Sequence, residues 1–304
     1  MKFVGTENMT NGMETKCREL VVISGKGGTG KTSVAASFAV LAAGRAVIAD
    51  CDVDAADLHL VLAPKIIEST DFRSGHEAVI LRETCTGCGL CAELCRFGAV
   101  KPLSNNQCRV DPVACEGCGV CVRFCPAGAI AFPERLCGEW MVSETRCGTM
   151  VHACLCAAAE NSGKLVSVVR REARRIAGEK GVPLIVTDGP PGIGCPVIAS
   201  VTGAAQVLVV TEPTVSGEHD LERVLTLTGH FGIPTSVCVN KWDINREMTE
   251  RIEKKAEAAG ARVVGRIRYD RMVTAAQIQA KAVVETDAPS AEDVRSVWKK
   301  LELK

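Results

Sequence analysis

Short apolar runs alternate with longer amphipathic segments over most of the chain. The run LVVIS at 20–24 precedes a glycine-rich loop and then VAASFAVLAAG, whose apolar positions recur with helical spacing. Further apolar runs at 206–213 and 262–267 are also followed by helical patterns. This alternation predicts a doubly wound α/β fold, in which a mostly parallel sheet carries helices on both faces. Ligands in such folds bind at the carboxyl ends of the strands.

Two cysteine-rich runs interrupt the alternation. Both have the spacing C-x2-C-x2-C-x3-C, which is typical of bacterial ferredoxins with two 4Fe-4S clusters. Glycines between the cysteines permit the tight turns that a cluster requires. A pair of zinc knuckles is the alternative, but knuckles separate their C-x2-C pairs by a longer loop. The eight cysteines are Cys85, Cys88, Cys91 and Cys95 in the first run and Cys115, Cys118, Cys121 and Cys125 in the second.

The fourth cysteine of each run is expected to bind the cluster of the other run. Three closely spaced thiolates wrap one cluster, whereas the fourth lies too far along the chain to turn back. The stretches VILRE, QCRVD and GAIAF around the runs supply short strands. Cys108 fits neither run and is predicted to be a packed free thiol. The predicted ligands are Cys85, Cys88, Cys91 and Cys125 for cluster one, and Cys115, Cys118, Cys121 and Cys95 for cluster two.

Length, charge and cysteine content narrow the possible size, partners and cellular location of this protein. The 304 residues, 47% of them hydrophobic, suffice for one large domain or for a medium domain with a small one. Lysine plus arginine and aspartate plus glutamate number 36 each, so net charge gives no reason to expect nucleic acid as a partner. The 17 cysteines come without an export signal, and a cytoplasmic location, where thiols stay reduced, is therefore expected. Residues 1–18 are predicted to be a flexible tail.

The glycine-rich loop SGKGGTGKTS has the residues of a phosphate-binding loop. Its glycines let backbone N–H groups point at an anion at a helix N-terminus. Lys31 is placed to reach the terminal phosphates, and Thr32 to put its hydroxyl on Mg2+. A glycine turn that merely joins a strand to a helix is the alternative. The predicted nucleotide-binding residues of the loop are Gly25, Lys26, Gly27, Gly28, Thr29, Gly30, Lys31, Thr32 and Ser33.

An additional lysine in this loop narrows the family. KGGTGKT, which begins at Lys26, resembles the deviant Walker A loop of the MinD/ParA/Mrp superfamily of P-loop ATPases. The resemblance implies that ATP closes a homodimer in which Lys26 contacts the nucleotide of the partner. The stretch at 47–62 resembles the switch I segment of that superfamily. The stretch at 184–194 resembles its Walker B and switch II segments.

The resemblance also implies roles for single residues, with ATP and ADP as ligands. Asp52 would orient the attacking water. Asp50 and Asp188 would hold Mg2+ together with Thr32. Asn240, in VCVNKWDIN, would contact the adenine edge, although an asparagine at a strand end is often only a turn cap. The implied catalytic residues are Lys26, Lys31 and Asp52.

The whole layout resembles the iron-sulfur members of the MinD superfamily, in which a ferredoxin module interrupts the ATPase between switch I and Walker B. The resemblance predicts an ATPase domain at 19–81 and 134–304 and an inserted α+β ferredoxin domain at 82–133. Apolar segments near 76–82 and at 139–155 are expected to be strands that lead into and out of the insertion.

One cysteine pair lies outside both runs. Alternation along a strand puts Cys154 and Cys156 on one face, where two thiolates can bind one metal ion. Two thiolates do not complete a tetrahedral site. A metal site that bridges the two subunits of a dimer is therefore one hypothesis. Two inert, buried thiols are the alternative.

Three functions fit these motifs. In the first, an ATP-dependent dimer couples hydrolysis to electron transfer or redox sensing by the clusters. In the second, the protein carries an iron-sulfur or metal cofactor to a client. The third, a plain electron carrier with a structural nucleotide site, is disfavoured by the complete set of ATPase residues. A redox or client protein is the expected partner.

The last predicted helix carries an apolar stripe. Such a stripe is typical of a helix packed on its own sheet, and the acidic residues beside it argue against membrane binding. The stripe consists of Val294, Val297, Trp298 and Leu301.

Overall fold

A sheet of nine strands forms the centre of the fold. The structure is a computed structural model and describes residues 17–104, 107–156 and 162–303, so residues 1–16 of the predicted tail lie outside it. The strands of the described residues are β1 (Arg18–Ser24), β2 (Ala46–Asp50), β3 (Lys65–His76), β4 (Val79–Ile80), β5 (Val100–Pro102), β6 (Cys108–Val110), β7 (Ile130–Ala131), β8 (Glu134–Thr145), β9 (Gly148–Leu155), β10 (Leu184–Pro191), β11 (Gln206–Thr211), β12 (Thr235–Asn240) and β13 (Arg262–Ile267).

The strand order of the large sheet is β13-β12-β11-β1-β10-β2-β9-β8-β3. The seven strands from β13 to β9 run parallel, which confirms the predicted mostly parallel sheet. β8 and β3 extend it as antiparallel strands. The segment expected to lead back from the insertion forms a hairpin of β8 and β9 around a turn at Arg146 and Cys147. Because β10 lies between β1 and β2, the carboxyl ends of these three strands meet at one edge of the sheet.

Helices cover both faces of this sheet. Alternation in β1 directs Leu20 and Val22 to the face of α1 and α10, and Val21 and Ile23 to the face of α7 and α8. No helix within the described residues combines the length and apolar character that a membrane crossing needs. The helices are α1 (Lys31–Leu41), α2 (Leu58–Leu62), α3 (Leu90–Leu94), α4 (Val120–Arg123), α5 (Ser162–Lys180), α6 (Cys195–Val201), α7 (Val215–His230), α8 (Arg246–Ala258), α9 (Met272–Ile278) and α10 (Pro289–Lys300), with 3-10 turns at Trp242–Ile244 and Val283–Glu285.

The C-terminal stripe packs on the protein's own sheet, as predicted. Val294, Val297 and Leu301 are buried in the same core cluster as α1. The ring of Trp298 lies 4.9 Å from that of Phe38, centroid to centroid. The apolar face of α10 is therefore used within the fold.

A buried ion pair ties β1 to α5. The Arg170 guanidinium donates to both carboxylate oxygens of Glu19, at 2.7 and 2.8 Å, and also to the backbone carbonyls of Ala199 and Thr202. Arg174 adds a further hydrogen bond to Glu19, at 2.6 Å. Both Glu19 and Arg170 are buried, so their charges are compensated by one another rather than by water.

The chain leaves the large sheet at the end of β3 and returns at the start of β8. The 77–133 segment between them forms two separate two-stranded ladders, β4 with β7 and β5 with β6, and the two short helices α3 and α4. Each helix follows a glycine in the left-handed region, Gly89 with φ 76° and Gly119 with φ 71°. The segment sits against the end of β3, where the rings of His76 and Phe132 stack at 4.8 Å.

Candidate functional site

The phosphate-binding loop occupies the carboxyl end of β1. Gly30 caps α1 in the left-handed conformation, with φ 90°, and Lys31 is the first helical residue. The loop lines a cavity of about 490 Å3, whose lining also contains Asp52, Asp54 and Pro191. Because α1 starts at the cavity, its free backbone N–H groups favour an anion there. The geometry therefore suits the phosphates of a nucleotide.

Lys31 is buried between two carboxylates. Its Nζ lies 2.9 Å from Asp188 Oδ1 and 3.1 Å from Asp52 Oδ2. Burial works against its charge, but Asp188 and Asp52 outweigh burial and raise the pKa of Lys31 above its usual value. Lys31 is therefore a fixed cation at the edge of the cavity. Phosphate oxygens that enter the loop compete with Asp52 and Asp188 for it.

Two buried carboxylate oxygens beside Lys31 lack partners. Asp50 and Asp188 are opposite one another on the neighbouring strands β2 and β10. The Oδ2 atoms of both are buried without a hydrogen bond among the described residues. Burial, and then the charge of Asp188, raise the pKa of Asp50 well above its usual range. A hard divalent cation would satisfy both oxygens, so this pair fits Mg2+.

Lys26 points away from the cavity of its own chain. Its Nζ lies 2.6 Å from Glu212 Oε1 and donates to the Ser216 and Thr214 hydroxyls at 2.8 and 3.3 Å. Glu212 also accepts a hydrogen bond from Lys241 Nζ, at 3.0 Å. Lys241 Nζ donates to the Gly28 carbonyl of the phosphate-binding loop as well. Glu212 and Lys241 were missed by the sequence analysis. The position of Glu212 directly after an apolar strand was the available signal.

Asn240 contacts the phosphate-binding loop rather than the interior of the cavity. Its amide donates to the Thr29 carbonyl at 2.7 Å, and its Oδ1 accepts from the Lys241 backbone. Contact with adenine stays a prediction. The predicted residues that line the cavity are Gly27, Gly28, Thr29, Gly30, Lys31, Thr32, Ser33 and Asp52, whereas Gly25, Lys26, Asp50, Asp188 and Asn240 lie outside its lining.

The predicted ligands of cluster one surround a single cavity. Cys125 of the second run lines it together with the first three cysteines of the first run, while Cys95 does not. The free volume is only about 20 Å3, so a cluster requires the glycine turns to open around it. Cys108, predicted to be a packed thiol, is buried but also lines this cavity. Burial and the adjacent Cys108 raise the pKa of Cys91 to about 12.

The first three cysteines of the second run also lie near one another. Burial, with the nearby Cys115 and Cys118, raises the pKa of Cys121. The fourth cysteine of each run accepts backbone hydrogen bonds. The amide of Ala129 donates to Cys125 Sγ at 3.3 Å. Burial raises the pKa of Cys95, but hydrogen bonds from the backbone amides of residues 97–100 outweigh burial and lower that pKa below its usual value. Such N–H groups stabilise thiolates.

No three His, Cys, Asp or Glu side chains of the described residues converge closely enough to hold one metal ion. A four-iron cluster differs from a single ion, because each of its cysteines binds a different iron and the thiolates surround a volume. The donor types around the first cavity therefore fit a cluster, although its free volume does not yet accommodate one. Cys154 and Cys156, predicted to bind metal, are both exposed, and they line a second cavity that shares Asp54 with the cavity of the phosphate-binding loop.

Comparison with known proteins identifies related chains. The family description CbiA: CobQ/CobB/MinD/ParA nucleotide binding domain matches residues 20–283. The uncharacterized protein MJ0578 of Methanocaldococcus jannaschii is 32% identical over 232 residues, which cover 75% of this chain and 79% of that protein.

Solved structures with the same fold have lower identity. The septum site-determining protein MinD complexed with Mg-ADP from Pyrococcus horikoshii aligns with a TM-score of 0.56 at 14% identity, covering 94% of this chain and 96% of that chain. The MinC:MinD cell division protein complex of Aquifex aeolicus aligns with a TM-score of 0.55 at 17% identity, covering 95% and 97%. At these identities the likeness shows the fold alone.

Proposed function

The chain belongs to the CobQ/CobB/MinD/ParA family of nucleotide-binding domains, and we propose that it is an Mg2+-dependent ATPase whose ATP-bound homodimer couples hydrolysis to two 4Fe-4S clusters. The observation that carries the ATPase is the buried group of Lys31, Asp188 and Asp50 beside the phosphate-binding loop, where two carboxylate oxygens have no hydrogen bond to any residue that the structure describes. Burying unpaired carboxylate oxygens costs free energy, and a bound cation together with the phosphates of ATP would remove that cost by pairing these charges.

Binding of ATP would redistribute the partners of Lys31. The amides of the loop and Lys31 bind the phosphates, which releases Asp52 from its 3.1 Å contact with Lys31. Asp50, Asp188 and the Thr32 hydroxyl hold Mg2+, which neutralises phosphate charge when bound. Asp52 is then free to orient the water that attacks the terminal phosphate. The products are ADP and phosphate.

Lys26 serves the second active site of the dimer in this proposal. In its own chain it is bound to Glu212, away from the cavity. When two chains meet across the nucleotide, Lys26 exchanges Glu212 for the phosphates of the partner's ATP. A cation supplied from another chain is a known way to stabilise charge in phosphoryl transfer.

The proposed ferredoxin-type module is the predicted insertion at 82–133, which lies within the segment between β3 and β8, with cysteines drawn from both runs around each cluster. Cluster one would be held by Cys85, Cys88, Cys91 and Cys125, and cluster two by Cys115, Cys118, Cys121 and Cys95. The clusters supply one-electron transfer when bound. The backbone amides directed at Cys95 and Cys125 favour thiolates and influence the cluster potential. The β3 and β8 strands connect the module to the ATPase sheet.

Phosphate release tests the ATPase directly. Anaerobically prepared full-length protein is incubated with ATP, with and without Mg2+, and compared with Lys31→Ala and with the exposed control Lys299→Ala. We expect slow turnover that requires Mg2+, that is lost in Lys31→Ala and that Lys299→Ala retains. Normal turnover in Lys31→Ala would contradict the assignment. Sedimentation velocity with and without ATP tests the dimer.

Iron analysis tests the module separately. After anaerobic reconstitution we expect about eight irons and as many labile sulfides per chain. Protein that binds zinc alone, or a single cluster, would contradict the proposal while leaving the ATPase intact.

A carrier function is the alternative, and the exposure of one cysteine in each run favours it. Cys88 and Cys118 are exposed, so an acceptor thiol can approach either predicted cluster. Incubation of the reconstituted protein with an apo-ferredoxin distinguishes the two functions. Clusters that transfer in an ATP-dependent way support a carrier, and clusters that stay while changing redox state support a switch.

A further inference from the structure

The two ladders of the 77–133 segment are two copies of one arrangement. Beside the ladder of β4 and β7, Leu81 N donates to the Ala129 carbonyl at 2.8 Å. Beside the ladder of β6 and β5, Asp111 N donates to the Ala99 carbonyl at 2.7 Å. Each residue of the first bond is therefore 30 positions from its counterpart in the second, which is also the offset between the two cysteine runs. β6 thus corresponds to β4, and the internal repeat identifies residues in equivalent places.

The repeat has a thiol in one half where the other half has a methyl group. Cys108 begins β6 and pairs with Pro102 across the ladder. Its counterpart is Ala78, which directly precedes Val79, the first residue of β4. Both side chains are buried, since Cys108 is 6% exposed and Ala78 is 5% exposed. The two halves space their cysteine runs identically but differ by a buried thiol at this position.

Cys108 faces the cavity in which cluster one is proposed. It lines this cavity together with Cys85, Cys88, Cys91 and Cys125, and its thiol shares a hydrogen bond with that of Cys91. The ladder of β5 and β6 holds Cys108 in place, so its position does not depend on the glycine turns that must open around a cluster. Burial keeps water from competing for the thiol hydrogen. Cys108 is therefore available as a hydrogen-bond donor to the sulfur of Cys91.

The residues around Ala78 pack against the second run. The backbone carbonyl of His76 lies so close to Gly117 that a Cβ on this glycine would collide with it. The repeat therefore directs the methyl group of Ala78 toward Cys121, the counterpart of Cys91. A methyl group donates no hydrogen bond to a thiolate. The two proposed clusters thus have unequal surroundings, although their ligand spacings are the same.

We propose that Cys108 is a positioning residue for cluster one, whose thiol donates a hydrogen bond to the Cys91 sulfur and gives this cluster a higher reduction potential than cluster two. The inference deepens the proposed function and rests on the two proposed clusters. A reduced cluster carries one more negative charge than an oxidised one, so a donor at a ligand sulfur stabilises the reduced form more. One electron therefore passes from reduced cluster two to oxidised cluster one, with no change of bonds or protons.

Redox titration followed by electron paramagnetic resonance tests this role. Full-length protein is reconstituted anaerobically, and the iron content, labile sulfide content and thermal unfolding of each variant are measured first. Cys108→Ala removes the donor, whereas Cys108→Ser keeps a hydroxyl donor at the same place. Ala78→Cys introduces a thiol at the equivalent place beside cluster two. The control Cys147→Ala removes a buried thiol at the turn between β8 and β9, outside the proposed module.

We expect about eight irons per chain and two one-electron steps in the wild type and in each of these variants. Cys108→Ala should lower the ratio of reduced to oxidised protein for one cluster by about tenfold at a fixed potential, which is a shift of about 59 mV, and should leave the other cluster unchanged. Cys108→Ser should restore most of this shift. Ala78→Cys should raise the potential of the other cluster, and Cys147→Ala should match the wild type.

Three results would overturn the role of Cys108. The first is unchanged potentials in a Cys108→Ala protein that holds about eight irons. The second is an equal shift in Cys108→Ala and Cys108→Ser, which would indicate lost packing rather than a lost donor. The third is the loss of about four irons in Cys108→Ala, which would make Cys108 a cluster ligand.

Variants with a single cluster locate the effect. Cys88→Ser with Cys125→Ser removes two predicted ligands of cluster one, and Cys95→Ser with Cys118→Ser removes two of cluster two. Addition of Cys108→Ala should shift the potential of the cluster that the second combination retains and not that of the first. The reverse result would place Cys108 beside cluster two and overturn the proposal.

Iron content separates this inference from the proposed function. Wild-type protein that holds no 4Fe-4S clusters would contradict the proposed module and, with it, the role of Cys108. Wild-type protein with about eight irons whose potentials do not respond to Cys108→Ala would refute the role of Cys108 alone, and the proposed module would stand.

Discussion

Lys26 is bound to Glu212 of its own chain, with 2.6 Å between Nζ and Oε1, although 186 residues separate them in sequence. The contact exists because β1 and β11 are neighbours in the sheet, so the phosphate-binding loop and the residue after β11 lie at the same edge. A lysine held in this way is not available to a partner's nucleotide. The ion pair therefore opposes assembly of the proposed ATP-bound dimer.

Removal of the Glu212 charge should favour the dimer. Lys26 and Glu212 are partly exposed, so their pair contributes about 0.2–1 kcal/mol per protomer. Because two protomers each lose one pair, Glu212→Gln should lower the dimer dissociation constant by about 2- to 30-fold in the presence of ATP. Sedimentation equilibrium measures this. Glu222→Gln, on the exposed face of α7, is the matched control, and weaker association of Glu212→Gln would refute an opposing role.

Lys26 itself should matter for turnover and not for nucleotide binding. Lys26→Ala keeps Lys31 and the loop amides in place, so binding of a fluorescent ATP analogue should be unchanged. Phosphate release should fall by about 100-fold or more, as it does when other cations supplied in trans are lost. Lys254→Ala, an exposed substitution on α8, should retain full turnover. Equal turnover of Lys26→Ala and wild type would remove the reason for a dimeric active site.

The phosphate-binding loop could be predicted from sequence because its chemistry is local. Gly30 and Lys31 lie where a glycine-rich loop joins a strand to a helix, and a loop of this composition at such a junction is typical of phosphate binding. The contact of Glu212 with Lys26 could not be predicted from the local sequence, because it depends on β1 and β11 being neighbours in the sheet. Likewise, the placement of Lys31 between Asp52 and Asp188 depends on β10 lying between β1 and β2.

The pairing of the antiparallel strands at the edge of the sheet also could not be predicted from the sequence. The apolar pattern at 139–155 predicted strands, but pattern alone does not reveal that the hairpin of β8 and β9 joins β2 on one side and β3 on the other. That pairing places His152 and Cys154 in the lining of the same cavity as His59. The cavity they share therefore had no signal in the sequence beyond the Cys154 and Cys156 pair.

The crossed ligand sets predict a specific pattern of iron loss. Cys88→Ser combined with Cys125→Ser removes two ligands of the same predicted cluster, so about four irons per chain should remain. Cys88→Ser combined with Cys95→Ser removes one ligand from each cluster, and few irons should remain. Iron and labile sulfide contents of the anaerobically reconstituted variants measure the difference.

Cys108→Ser is the control for this series. Cys108 lines the first cavity but belongs to neither predicted ligand set, so this variant should keep about eight irons. If the combination of Cys88 and Cys125 lost all its iron while that of Cys88 and Cys95 kept half, each run would hold its own cluster and the crossed assignment would be wrong.

The ion pair of Glu19 and Arg170 should make the fold sensitive to acid. Burial raises the pKa of Glu19, but hydrogen bonds and charges from Arg170 and Arg174 outweigh it and lower the pKa below the usual 4.5. Because the folded pKa is then below that of the unfolded chain, this stabilisation is fully present above about pH 4.5 and is lost as the pH falls through the folded pKa.

Glu19→Gln should therefore lower the free energy of unfolding by about 3–5 kcal/mol at neutral pH, since it leaves the buried Arg170 without its charged partner. The difference from wild type should shrink as the pH falls from 4.5 through the lower pKa of folded Glu19, below which Glu19 of the wild type is itself protonated. Urea unfolding at several pH values measures both effects. Glu179→Gln removes an exposed ion pair of α5 with Arg175 and should leave the stability nearly unchanged. A Glu19→Gln effect that stays constant across the acid range would mean that the loss comes from packing rather than from charge.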